Sequence, residues 1–203
     1  RPDPVVDALR LRLQAGEPLP FDTIRTARDG IAEVFFSVAA ALNGEADPVY
    51  TLLHLRVAEY LRPDHADVVL LTADTLETLG QHQLAVETYA TFPPDDPAYV
   101  SAEIGRAGAL RSDGQVDAAV EAMQALARAH PDLFSVQFAL GDMLRLEERF
   151  DEAEVAYTAA INLQTKITEE DWVLFFYRGI SHEQSKDWAA AEADFRQSLT
   201  LNP

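Results

Sequence analysis

The sequence predicts an all-α chain made of repeated helical hairpins, and three observations predict it. Pro63, Pro97 and Pro131 each close a stretch of helical character, and they lie 34 residues apart. Small residues and an aromatic recur at fixed intervals: Ala73, Ala85 and Tyr89; Gly141, Ala153 and Tyr157; Gly179, Ala191 and Phe195. Alternating β-branched runs, the mark of strands, are nearly absent.

Residues 1–31 form the least regular part of the chain. Val5, Leu9 and Leu13 share one face of a helix that Asp3–Pro4 starts and Gly16 stops. That helix reads as the remnant of an upstream hairpin or as an N-terminal cap. The following EPLPFDTIRTARDG reads as a linker, with a helical turn capped by Asp22 and ending at Gly30. From residue 32 onward each period holds two helical blocks, as Val136, Leu140, Met143 and Leu144 are followed by Ala153, Ala156, Tyr157, Ala160 and Ile161. Breaker residues mark the turns between blocks at 42–48, 79–83, 112–117, 147–151 and 185–188. A further proline is due at 165, where the chain has Thr165; TKITEED inserts four residues and delays the closing Pro203.

This pattern resembles the tetratricopeptide repeat (TPR) family, a helix–turn–helix with small and large residues at set places. A small eighth residue (Ala39, Ala73, Ala107, Gly141, Gly179) lets the first helix of each unit, helix A, approach its neighbours. A small twentieth residue (Ala85, Ala119, Ala153, Ala191) lets the second, helix B, cross helix A, and an aromatic at the twenty-fourth (Tyr89, Tyr157, Phe195) fills the space between hairpins. The chain departs from the family where Thr51, Leu55 and Met123 stand at two of these places. It departs again at the fourth position, where Phe35, Val69, Glu103, Gln137 and Phe175 replace tryptophan. The resemblance implies a right-handed α-solenoid of about five TPR hairpins over 32–65, 66–99, 100–133, 134–171 and 172–203, preceded by one extra helix. It extends to exported bacterial TPR proteins of unknown role, which favours a periplasmic or exported location over the cytoplasm.

Composition limits the functions. The 203 residues carry a formal charge of −18, with 16 Lys and Arg against 34 Asp and Glu, so nucleic acid and anionic lipid are repelled. Residues 1–30 hold five Arg and five acids, which leaves the whole deficit in the repeats. No cysteine is present, and no apolar run reaches the ~20 residues of a membrane span. His54, His65, His82, His130 and His182 are scattered without the spacing of a helical metal motif. No nucleophile elbow, phosphate loop or dinucleotide fingerprint occurs. Neither a catalytic residue, a metal site nor a cofactor is therefore expected. Asp95–Asp96 and Glu169–Glu170–Asp171 suit helix N-termini, where negative charge meets the positive end of the dipole. Trp172 and Trp188 are expected to cover the seam around the inserted loop.

The family register turns one side of each helix A toward a concave groove. Its fifth positions are Phe36, Leu70, Ile104, Phe138 and Phe176, all apolar, and Glu33, Asp67, Asp74, Glu77, Arg111, Asp142, Arg145 and Glu183 flank them. The resemblance thus implies a noncatalytic scaffold whose groove takes a peptide or helix with apolar anchors and basic flanks. The residues expected to carry it are Phe36, Leu70, Asp74, Ile104, Arg111, Phe138, Asp142, Arg145 and Phe176. The Lys, Asn and Arg clamp with which some TPR domains hold acidic chaperone tails is missing. Alternatives are a stripe covered by closure of the superhelix or by the N-terminal helix, a structural spacer, and a module that presents substrate to an enzyme. The last helix leaves Ala191, Phe195 and Leu199 without a following hairpin, which predicts self-association there.

Overall fold

The structure is a computed structural model that describes residues 4–17 and 24–203. Asp3 and Asp22, expected as a helix start and a cap, lie outside the described residues. The described residues form eleven α-helices and one 3₁₀ turn, divided between two compact units, Arg1–Asp113 and Gly114–Pro203.

The first unit contains α1 (Pro4–Gln14), α2 (Ala27–Leu42), α3 (Pro48–Leu61), α4 (Ala66–Thr78), α5 (His82–Tyr89) and α6 (Tyr99–Ser112). The helices α2 and α3, and α4 and α5, stop and restart at the breaker residues, where Asp47 caps α3 by accepting the Val49 N–H at 2.9 Å. One boundary differs from expectation: Ala27–Gly30, read as linker, is the first turn of α2. The reason is a capping box. The Thr26 hydroxyl oxygen accepts the Asp29 N–H at 3.1 Å while Asp29 accepts the N–H groups of Thr26 and Arg25, both at 2.9 Å. The Arg25 N–H, helped by Thr26, holds the Asp29 carboxyl below its usual range. Leu9 and Leu13 on α1 are exposed, so these two leucines cover no groove.

Packing in this unit rests on the small positions. Ala39, Ala73 and Ala85 are fully buried, and Leu55 and Thr51 fill the places where the repeat pattern lapses. Tyr89 packs in a cluster with Ala73, Leu76, Ala85, Phe92 and Ala102, its ring against the backbone of α6 at Gly105. Any side chain at Gly105 would collide with that ring.

The second unit contains α7 (Val116–Ala129), α8 (Phe134–Leu146), α9 (Phe150–Asn162), the 3₁₀ turn Glu169–Asp171, α10 (Trp172–Gln184) and α11 (Trp188–Leu201). Ala153, Tyr157 and Ala160 are fully buried on α9. Gly141 and Gly179 are glycines because an added Cβ would lie 2.8 Å from the rings of Tyr157 and Phe195 respectively. A buried bidentate pair joins α10 to α11, with Arg178 Nε and Nη2 donating to the two oxygens of Asp194 at 2.8 and 2.7 Å. The inserted loop ends in a second capping box, where Asp171 accepts the Thr168 N–H at 2.8 Å and its hydroxyl at 2.9 Å. Trp172 packs on Phe176, but Trp188 is 65% exposed and covers no seam, because the first turn of α11 points it away from α10.

Each α4–α5, α8–α9 and α10–α11 turn needs one residue in left-handed conformation. Gly80 supplies it at φ 71°, whereas Glu148 and Lys186 adopt it at φ 57° and 67°.

Candidate partner-binding surface

In the first unit α2, α4 and α6 place the expected groove residues on one apolar surface. Phe36, Leu70 and Leu71 floor a hollow of about 410 Å³ that Asp67, Asp74, Tyr89 and Ser101 complete. Asp67 and Asp74 are exposed and lie two turns apart on α4, so both carboxylates are presented on one side of the helix. The floor is partly built into the core: Phe36 packs beside Ala39 and Leu55 and meets the His65 ring at 5.1 Å. His65 Nε2 lies 3.1 Å from Glu33 Oε2, so Glu33 is engaged within the fold rather than offered to a ligand. Ile104 is half-buried on α6, and Arg111 lies in that helix's last turn.

Glu77 is likewise engaged, accepting the Tyr89 hydroxyl at 3.1 Å. Burial raises the Glu77 carboxyl above its ordinary range, with the negative charge of Asp74 adding to it. Burial first, then the adjoining Glu77, pushes the Tyr89 hydroxyl upward as well. The hollow therefore presents two exposed carboxylates over a floor whose own polar groups are already paired.

In the second unit the same repeat positions carry a different network. Tyr157 donates to Asp142 Oδ1 at 2.7 Å, while Arg145 donates from Nε to the Tyr157 hydroxyl at 3.0 Å and from Nη2 to Asp142 at 3.1 Å. The Arg145 guanidinium also stacks 4.2 Å from the Tyr177 ring centroid. Asp142 and Arg145, expected as separate groove groups, satisfy each other and Tyr157. What faces outward is aromatic. Phe138 lies parallel to Phe134 at 5.8 Å and near Tyr177 at 6.4 Å, and Phe176, 38% exposed, meets Trp172, Tyr177 and Phe195 at 5.7–6.0 Å.

Phe138 is a half-buried part of this cluster, not a free anchor. Tyr177, Phe134, Leu71 and Ser101 were missed from the sequence. The FFY run at 175–177 was the available signal for Tyr177, since adjacent helical positions splay across two faces and only one had been assigned.

The fold and this surface define a helical-hairpin repeat protein. More particularly it is a tetratricopeptide-repeat protein: residues 104–168 match the sequence model of the tetratricopeptide repeat family. Among solved structures the chain is similar to MamA 41-end from Desulfovibrio magneticus RS-1, at 17% identity and TM-score 0.64, over 87% of this chain and 96% of that one. It is similar to MamA AMB-1 at 22% identity and TM-score 0.61, over 85% and 97% of the two chains. A third similar structure is YrrB, described as a TPR protein with an unusual peptide-binding site, at 14% identity, TM-score 0.58, and 88% and 93% coverage. No curated protein matches the chain by sequence.

Proposed function

We propose that the chain is a noncatalytic protein-binding scaffold that holds a peptide or helix with an apolar anchor and basic flanks. The observation that carries the reading is the first-unit hollow, where an apolar floor of Phe36, Leu70 and Leu71 lies beside exposed Asp67 and Asp74. An apolar side chain gains by leaving water there, and Lys or Arg on either side of it meets unpaired negative charge. The peptide-binding site of YrrB, on the same fold, supports this use of the surface. The aromatic surface around Phe176 and Tyr177 offers a second apolar contact.

The test is selection from a random peptide display library. Enriched peptides are expected to carry Leu, Ile or Phe flanked by Lys or Arg. Reversing Asp67→Lys and Asp74→Lys together should abolish their capture at low salt, and the difference should shrink as salt rises. Enrichment of acidic peptides, or capture unaffected by the double reversal, overturns the proposal.

A further inference from the structure

A second surface, independent of the groove, lies on α11. Trp188 and Leu199 are 65% and 66% exposed. They stand eleven residues apart, close to three full turns, and so on one line along the helix. Glu192, Arg196 and the edge of Phe195 lie between them and line a hollow of about 400 Å³. The opposite side of α11 packs on α10, with Ala191, Asp194 and Ser198 buried there.

We propose that α11 pairs with α11 of a second copy of this chain, antiparallel about a two-fold axis. The face is complementary to itself in that arrangement. With the axis near Ala193–Asp194, Trp188 falls opposite Leu199, small Ala191 opposite Phe195, and Glu192 opposite Arg196. Large residues meet small ones, and each acid meets a base. Within one chain Arg196 Nη2 already reaches Glu192 Oε1 at 2.6 Å, so both charges stand at the height where the exchange would occur. Closed two-fold pairing of one patch is the commonest oligomer geometry.

The other exposed apolar face, on α2, lacks this property. Its hollow is lined by Ile24, Val34, Val38 and Leu42, with Glu33 as the charged group, and Glu33 is held by His65. Neither an α2 pair nor α2 against α11 would match opposite charges.

The experiment is sedimentation equilibrium of the 203-residue chain and its variants over a wide concentration range. The parent should dimerise, more strongly as salt screens the repulsion between copies of charge −18. Glu192→Arg and Arg196→Glu, each alone, place like charges across the axis and should weaken dimerisation by roughly tenfold or more. An equimolar mixture of the two variants restores opposite charges at both contacts, and should dimerise as the parent does. Glu192 and Arg196 are exposed, so unchanged circular dichroism is expected throughout. A parent that stays monomeric overturns the proposal. So does dimerisation that both single variants keep, or that Val34→Glu on α2 abolishes while the α11 variants do not.

Discussion

Replacing Gly141 with alanine tests the packing on which the second unit depends. The added Cβ would lie 2.8 Å from Cδ1 and Cε1 of Tyr157 and 3.1 Å from its Cγ. Carbon atoms in contact prefer about 3.5–4.0 Å, so two ring atoms must retreat by several tenths of an ångström. The ring has nowhere to go. It is fully buried, and its hydroxyl is fixed by Asp142 and Arg145. Overpacking of this kind costs about 1–3 kcal/mol. Alanine returns about 1 kcal/mol through helix propensity, which leaves a net loss of about 1–2 kcal/mol. Gly108 in α6 is the control, because its Cβ would meet nothing nearer than Glu77 Oε2 at 3.9 Å. There the propensity gain stands alone, and Gly108→Ala should stabilise by about 0.5–1 kcal/mol. Urea unfolding followed by far-UV circular dichroism should move the two midpoints in opposite directions. In a Tyr157→Leu background the penalty at Gly141 should largely disappear, a coupling that a double-mutant cycle reads directly. Gly141→Ala stabilising the protein as Gly108→Ala does would refute the reasoning.

Glu148→Gly and Lys186→Gly relieve left-handed residues at φ 57° and 67° and should each stabilise by about 0.5–1 kcal/mol in the same unfolding assay. The raised Glu77 carboxyl contributes stability that is fully present below its ordinary value of 4.5 and lost as pH rises through the higher folded value. Glu77→Gln should therefore raise the melting temperature at neutral pH, and the gain should vanish in acid. Burial and Asp142 hold the Tyr157 hydroxyl above the ordinary tyrosine range, so Tyr157→Phe should remove a late component from the alkaline absorbance titration. Glu77→Arg should bring a guanidinium to Asp74 and Tyr89 as Arg145 does for Asp142 and Tyr157, and should weaken capture of basic peptides about tenfold or more; unchanged capture would show that Asp74 plays no part.

The hairpins were legible because the signals that make them are local. Gly80, Gly114 and the breaker clusters stop helices wherever they occur, and small residues at Ala73, Ala85, Ala153 and Gly141 admit close approach without reference to distant partners. The start of α2 was misread for an instructive reason. Thr26 and Asp29 carry the capping signal, but Gly30 four residues later was weighted as a breaker. Inside a helix it only lowers propensity, and the Thr26–Asp29 box fixes the preceding turn.

The site was less legible because charge on a helix face becomes available or spent through partners one helix away. The second and fourth repeats align Asp74 with Asp142, Glu77 with Arg145, and Tyr89 with Tyr157. In both, the tyrosine on helix B turns its hydroxyl back to helix A. Where the middle residue is Glu77 it takes that hydroxyl, and Asp74 stays exposed beside the hollow. Where it is Arg145, one guanidinium reaches the hydroxyl, the aspartate and the Tyr177 ring together, and Asp142 is neutralised. Residue type and position were the same for the two aspartates, yet a neighbour three residues on decides which one a basic ligand would meet. A groove of this kind has to be read as sets of contacting positions across both helices, since the single row of helix A residues assigns equal roles to groups whose surroundings have made them different.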